Sequence, residues 1–445
     1  MWLNVQIPVL FFLLANTVSS DASLFSWSSE SFTHAAHRVR RRAVKRTAEL
    51  PRDLRRAFNG MLFQETLDVS SSGHQHPHCV IGGGLKSSNK DGNGSGDSAH
   101  TSSDVPNTST SSTASTASST STASSPSSTG SSTPVPSSPW KLFQSYQGDT
   151  FFDGWSFFTF GDPTHGVVQY VDQNTANSSN LIEINGEGHA IMRVETTEQV
   201  AGNRMSVRIT TTATYTGGIV LLDAVHMPTG CGTWPSFWSN GANGEIDIVE
   251  GVNDFANNQA TAHTSHGCTL PSTSSAALNI TGTVVDGTNC AAAETGNVGC
   301  GMTATQSNTF GAGFNNIGGG VYAMQWVESG ISVYFFPRNA IPSDITSGAP
   351  QPDSWGLPMA RWPATDCDPS QFFSDHSAIF DTTFCGDWAG SVWDSAGMPG
   401  QEQSCATRTG VSTCEDFVNN HGSSFTDAYW EVSYVKIYQL QQGSS

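Results

Sequence analysis

The sequence predicts an all-β domain, a two-sheet sandwich of the jelly-roll kind, preceded by a long N-terminal region with no core of its own. Three observations predict it. Alternating apolar and polar runs recur from Trp140 to Gln439 while helical periodicity is scarce. Ten of the twelve tryptophans lie in that stretch, so the large core-forming rings are concentrated there. A tract from Thr101 to Pro139, in which 26 of 39 residues are Ser or Thr, divides it from everything upstream.

Each N-terminal segment has its own composition. Ile7–Ala15 is a nine-residue apolar run followed by the small polar residues Thr17-Val18-Ser19-Ser20. It is too short to span a bilayer and matches the apolar region of a signal peptide over residues 1–20, although no basic residue precedes it and an uncleaved anchor is the alternative. No apolar tail follows Gln439, so no C-terminal lipid-anchor signal is expected. Nine of the 19 basic residues fall between Arg38 and Arg56, with dibasic pairs at Arg41-Arg42 and Lys45-Arg46, so residues 21–56 read as a basic pro-segment. Residues 57–100 are polar and contain His74-Gln75-His76-Pro77-His78-Cys79. Those donor types suit a metal, but a flexible tract is favoured because no second ligand cluster lies near. The Ser/Thr tract over residues 101–139 lacks aromatics and cannot bury enough apolar surface to offset its ordering entropy, so it reads as an O-glycosylated linker.

Residues 140–445 carry 8 basic and 29 acidic side chains, a net charge of −21. No sizeable basic face can be built from that, which argues against a nucleic-acid or anionic-membrane partner. Eight of the nine cysteines lie here: Cys231, Cys268, Cys290, Cys300, Cys367, Cys385, Cys405 and Cys414. Behind a signal peptide an even number implies disulfides, with 105 possible pairings and nothing in the spacing to choose among them. Sequons stand at Asn93, Asn107, Asn177 and Asn279.

Strands are expected at Arg204–Thr210, Gly218–Asp223, Gly320–Glu328, Ile331–Phe336 and Tyr429–Tyr438, with a hairpin turn at Ser329-Gly330. The stretch richest in chemistry is Gly244-Glu245-Ile246-Asp247-Ile248-Val249-Glu250-Gly251. Alternation places Glu245 and Asp247 on one face of a strand, but Glu250, five residues from Glu245, would point the other way. One extra residue at Ile248-Val249, a β-bulge, brings Glu250 onto the same face. Three carboxylates on one face repel, so the cluster needs a cation or a shared proton. Two Glu side chains on Cα atoms roughly 13 Å apart can bring their carboxyls to about 5 Å, the separation of a retaining glycosidase pair. A Ca²⁺ site and a solvated acidic edge strand are the competing readings.

Residues 140–440 resemble the fungal endo-β-1,3(4)-glucanases, or laminarinases, of glycoside hydrolase family 16. The resemblance rests on Asp162-Pro163-Thr164-His165-Gly166-Val167, His226-Met227-Pro228 and Gly230-Cys231-Gly232-Thr233-Trp234-Pro235-Ser236-Phe237-Trp238. It continues through Glu245-Ile246-Asp247-Ile248-Val249-Glu250, Asn258-Gln259, His263-Thr264, Gly267-Cys268 and Phe380-Asp381-Thr382-Thr383-Phe384-Cys385-Gly386-Asp387-Trp388-Ala389-Gly390. It implies a concanavalin-like jelly roll with a substrate cleft, a β-glucan substrate, no cofactor and a secreted monomer, free of the membrane once mature. It implies Glu245 as nucleophile, Glu250 as acid/base and Asp247 as the assisting acid between them. His263 then stands beside the acidic cluster as a substrate-binding candidate, a hydrogen-bond partner for the cluster or for the sugar, with a structural histidine as the alternative. Trp234, Trp388 and Trp238 are candidate sugar-stacking walls, with core packing as the alternative for each. Only Ser239–Gly244 separates the Trp-Pro-x-Phe-Trp run from the acidic strand, where many relatives insert another Trp-Pro. A glycone subsite of altered shape is therefore expected.

Overall fold

The computed structural model describes residues 138–441. The apolar run at 1–20, the basic segment, the His/Cys tract, Cys79, Asn93, Asn107 and most of the Ser/Thr tract lie outside the described residues. What is described is all-β, as the alternation predicts. The first sheet runs in the order β16 (Ala360–Pro363), β15 (Gly330–Pro337), β14 (Gly320–Val327), β8 (Gly218–His226), β18 (Tyr429–Leu440), β5 (Ala190–Arg193) and β4 (Ile182–Ile184). β1 (Trp140–Gln147) also pairs with β18. The second runs β12 (Thr283–Val285), β13 (Cys300–Thr303), β11 (Gln259–Thr264), β10 (Gly244–Glu250), β9 (Thr233–Asn240), β17 (Ser377–Phe384), β7 (Arg208–Thr211) and β2 (Trp155–Phe157). Both are antiparallel throughout; a small parallel pair, β3 (Val168–Tyr170) with β6 (Arg204–Ser206), stands apart.

The facing sides of the two sheets interdigitate as one core. Val220, Leu222, Met324, Val333, Val435 and Ile437 come from the first sheet, and Phe237, Ile246, Ala260, Ala262, Met302 and Phe380 from the second. Such burial stabilises by roughly 25 cal/mol per Å² of apolar surface removed from water. The first sheet is covered on its other face too: Ile219, Leu221, Val321 and Ala323 pack with Trp140, Ile345 and Trp355. That leaves the outer face of the second sheet to carry polar side chains.

Two local expectations change. Arg204–Thr210 is not one strand but two, β6 and β7, because the chain leaves the β3 pair at Val207 and joins the second sheet beside β17. The hairpin turn is one residue earlier than expected, at Glu328-Ser329, with Val327 paired to Gly330 at φ 136°, a conformation that suits glycine.

The eight cysteines pair as Cys231–Cys405, Cys268–Cys367, Cys290–Cys300 and Cys385–Cys414. Asn177 and Asn279 are exposed, as glycan acceptors must be. No helix among the described residues is long and apolar enough to cross a membrane.

Candidate active site

The bulge is present at the expected residues. On β10, Asp247 pairs with Trp238 of β9, and the next pair is Val249 with Phe237, so Ile248 is the extra residue. Ile248 and Val249 are both 0% exposed and both enter the core, which two consecutive residues of a regular strand cannot do. Beyond the bulge Glu250 joins Glu245 and Asp247 on the outer face, where all three line a cleft of about 470 Å³. The cleft floor is built by alternation: Trp234, Ser236 and Trp238 from β9, Gln259, Thr261 and His263 from β11, and Asp381 and Thr383 from β17.

Each carboxyl has a distinct partner. Asn240 Nδ2 donates to Glu245 Oε2 at 3.2 Å. His263 lies opposite Glu245 in the ladder, and its Nε2 is 3.1 Å from Asp247 Oδ2. Trp234 Nε1 donates to Glu250 Oε1 at 2.9 Å. Burial pushes each carboxyl above the ordinary carboxylate range, to about 8, and repulsion from Asp247 adds to the shift of both glutamates. A cluster of this kind holds fewer charges than carboxyls at neutral pH, so one member can donate a proton while another accepts one.

Glu245, Asp247 and His263 each bring one ligand atom within 4.8 Å of the others, a set of donors that could hold a cation. Cys231, Asp254 and Cys405 are equally close, but their sulfurs are joined in a disulfide and offer no thiolate.

All seven side chains singled out in the sequence line the same cleft, and the three tryptophans differ in their settings. Trp388, half-buried, sits on a π-helical turn (Gly386–Gly390) just after Cys385 and meets the Trp234 ring edge-on at 5.7 Å. Trp234 is buried and its indole N–H is committed to Glu250. Trp238 is 3% exposed and carries the Arg208 guanidinium over its ring at 4.9 Å, which takes one face from any sugar.

Asp381 was not expected in the site. It lies opposite Arg208 in the ladder and accepts hydrogen bonds from Ser236 Oγ and, at 3.2 Å, from Tyr170 Oη. Burial raises its carboxyl to about 6, against the opposing pull of Arg208. The signal in the sequence was the alternation Phe380-Asp381-Thr382-Thr383-Phe384, which puts Asp381 and Thr383 on one side of β17.

The sequence matches the family model described as the XgeA-like catalytic GH16 domain over residues 155–438. A probable glycosidase from Schizosaccharomyces pombe is 43% identical over 307 residues, covering 67% of this chain and 69% of that one. A probable endo-1,3(4)-beta-glucanase from Aspergillus clavatus is 42% identical over 312 residues, but this chain spans only 47% of its length. Among solved structures, laminarinase 16A from Phanerochaete chrysosporium, holding two beta-glucans in its donor and acceptor sites, is 40% identical with a TM-score of 0.61. The match covers 67% of this chain and 99% of that one. An elongating family 16 beta-1,3-glucosyltransferase is 39% identical with a TM-score of 0.60, over 67% of this chain and all of that one. The two-sheet fold, the bulged acidic strand and these matches together place the chain in glycoside hydrolase family 16.

Proposed function

We propose that this family 16 glycoside hydrolase is a secreted retaining endo-glucanase that cuts β-1,3- or mixed β-1,3/1,4-glucan. The observation that carries the reading is the bulge at Ile248, which turns Glu245, Asp247 and Glu250 into one buried carboxyl cluster on the cleft floor. In the first step a carboxylate oxygen of Glu245 attacks the anomeric carbon, and Glu250 gives its proton to the departing glycosidic oxygen. The C–O bond breaks and a glycosyl ester of Glu245 forms. In the second step Glu250 takes a proton from water, whose oxygen attacks the same carbon and releases Glu245, leaving the β configuration intact. Asp247, with His263 Nε2 close beside it, shares a proton with the nucleophile, which eases its charging in a buried cluster. Trp388 presents the more open ring for stacking on a glucosyl face.

The laminarinase 16A structure, with its beta-glucans, supports the substrate class. Secretion is read from the Ile7–Ala15 run, and four disulfides suit an oxidising compartment. On this reading residues 140–445 form the catalytic domain, carried as a monomer behind the Ser/Thr linker. A second reading, glucosyl transfer to another sugar, is favoured by the glucosyltransferase match. The experiment is hydrolysis of laminarin and barley glucan by the wild-type chain and by Glu245→Gln, with products sized. Loss of activity in the variant alone supports the reading, while products longer than the substrate establish transfer. Equal hydrolysis by both proteins would sink the reading, and absent hydrolysis in both would leave a glucan-binding role instead.

A further inference from the structure

The bulge breaks the ladder between β10 and β11. Asp247 pairs with Thr261, and the next pair is Glu250 with Gln259, so two residues of β10 face one of β11. At this interruption stands Asn258, immediately before β11 and 0% exposed. Its Nδ2 donates to the Ile248 carbonyl at 2.9 Å, and its Oδ1 accepts the Glu250 N–H at 3.0 Å. A carboxamide carries the donor and the acceptor of a peptide unit, so the side chain supplies the link that the bulge removes. Its orientation is fixed chemically, because the reverse would set an NH₂ against an N–H and an oxygen against a carbonyl.

Asn258 is itself anchored on both sides. Its main-chain N–H donates to Thr309 Oγ1 at 2.9 Å, and its carbonyl accepts the Ala304 N–H at 2.8 Å. The amide therefore connects the loop at 304–309 to the one stretch of β10 whose geometry departs from a regular strand. It touches the main chain on both sides of Val249 and reaches neither Glu245 nor Asp247 among its hydrogen bonds.

We infer that Asn258 is a positioning residue that locks the bulge and so holds Glu250, and not Glu245, at its working place. The inference rests on the reading of Glu250 as acid/base. A misplaced acid slows cleavage only where the leaving group needs a proton, whereas a misplaced nucleophile or a loosened fold slows every substrate.

The test uses the full chain and two substrates: a laminari-oligosaccharide, whose sugar leaving group needs protonation, and a 2,4-dinitrophenyl β-laminaribioside, whose leaving group does not. Asn258→Ala is expected to lose roughly 10- to 100-fold in kcat/KM on the first and less than about threefold on the second. Glu250→Gln, measured beside it, should show the same contrast more strongly. Asn258→Asp keeps the volume and an acceptor for the Glu250 N–H but loses the donor to Ile248, so it should fall between Asn258→Ala and wild type. Equal losses of Asn258→Ala on both substrates, or none, would overturn the inference. So would loss of a cooperative thermal transition in both Asn258 variants, which would make the residue a support of the fold. If Glu250→Gln itself lacks the contrast, the acid/base reading fails and takes the inference with it; if Glu250→Gln shows it and Asn258→Ala does not, only the inference fails.

Discussion

Trp234 Nε1 donates to Glu250 Oε1 at 2.9 Å, and this hydrogen bond couples an aromatic wall of the cleft to one of its carboxyls. The indole is a donor only, so it favours the ionised form of Glu250 and opposes the upward push of burial. It also fixes which oxygen is occupied, leaving Oε2 to carry the proton.

Trp234→Phe keeps most of the ring and removes the donor. Glu250 then loses a group that favours its charged form, so its pKa moves further up. The alkaline limb of the pH profile of kcat/KM should move up with it, and kcat should fall roughly tenfold because the carboxyl is less well oriented. An unchanged profile with lost affinity alone would show that the indole serves only as a wall.

The carboxyl cluster has a stability consequence of definite sign. Glu245, Asp247 and Glu250 have folded-state pKa values raised from the ordinary carboxylate range to about 8. Such groups contribute stability that is fully present below the unfolded values, near pH 4, and is lost as pH rises through about 8. Glu245→Gln removes one group that must either stay protonated or charge in a buried site. At pH 4 wild type and variant should melt together. At pH 8 the variant should be more stable by roughly 1–3 kcal/mol, a few degrees in Tm. Thermal melts at the two pH values check this; a variant less stable at pH 8 than at pH 4, relative to wild type, would contradict it.

Much of this site was legible in the sequence because carboxylates at odd spacing pose a geometric problem with one simple solution. Glu245 and Asp247 alternate with apolar residues and Glu250 breaks the alternation, so a bulge is what gathers all three on one face, and the family resemblance of this strand pointed to the bulged form. The role of Asn258 was not legible, since a side-chain amide that replaces a main-chain link leaves no periodic trace. Asp381 was hidden for a related reason: its place beside Arg208 depends on β7 and β17 becoming neighbours across more than 170 residues. The disulfides are the same kind of fact, because cysteine spacing does not encode which strands meet. The break of 204–210 into β6 and β7 escaped detection because alternation continues unbroken through Val207 while the pairing partner changes.

The Cys385–Cys414 bridge ties the turn that carries Trp388 to the helix Cys414–Asn420. The two cysteines are 29 residues apart, for which loop-closure entropy gives about 3–4 kcal/mol. The double substitution Cys385→Ala with Cys414→Ala should lower the unfolding free energy by about that amount in denaturant titration. Because Cys385 begins the Trp388 turn, KM for laminari-oligosaccharides should rise several-fold more than kcat falls. Equal effects on both would mean that the bridge supports the cluster rather than the wall.

The central claim is that the bulged strand makes Glu245 and Glu250 a double-displacement pair. The stereochemistry of the newly formed reducing end tests it most directly, followed by proton NMR in the first minutes of laminari-oligosaccharide cleavage, before mutarotation. The β-anomer should appear first and the α-anomer only later. First appearance of the α-anomer would mean that water, and not Glu245, attacks the sugar, and would contradict the account.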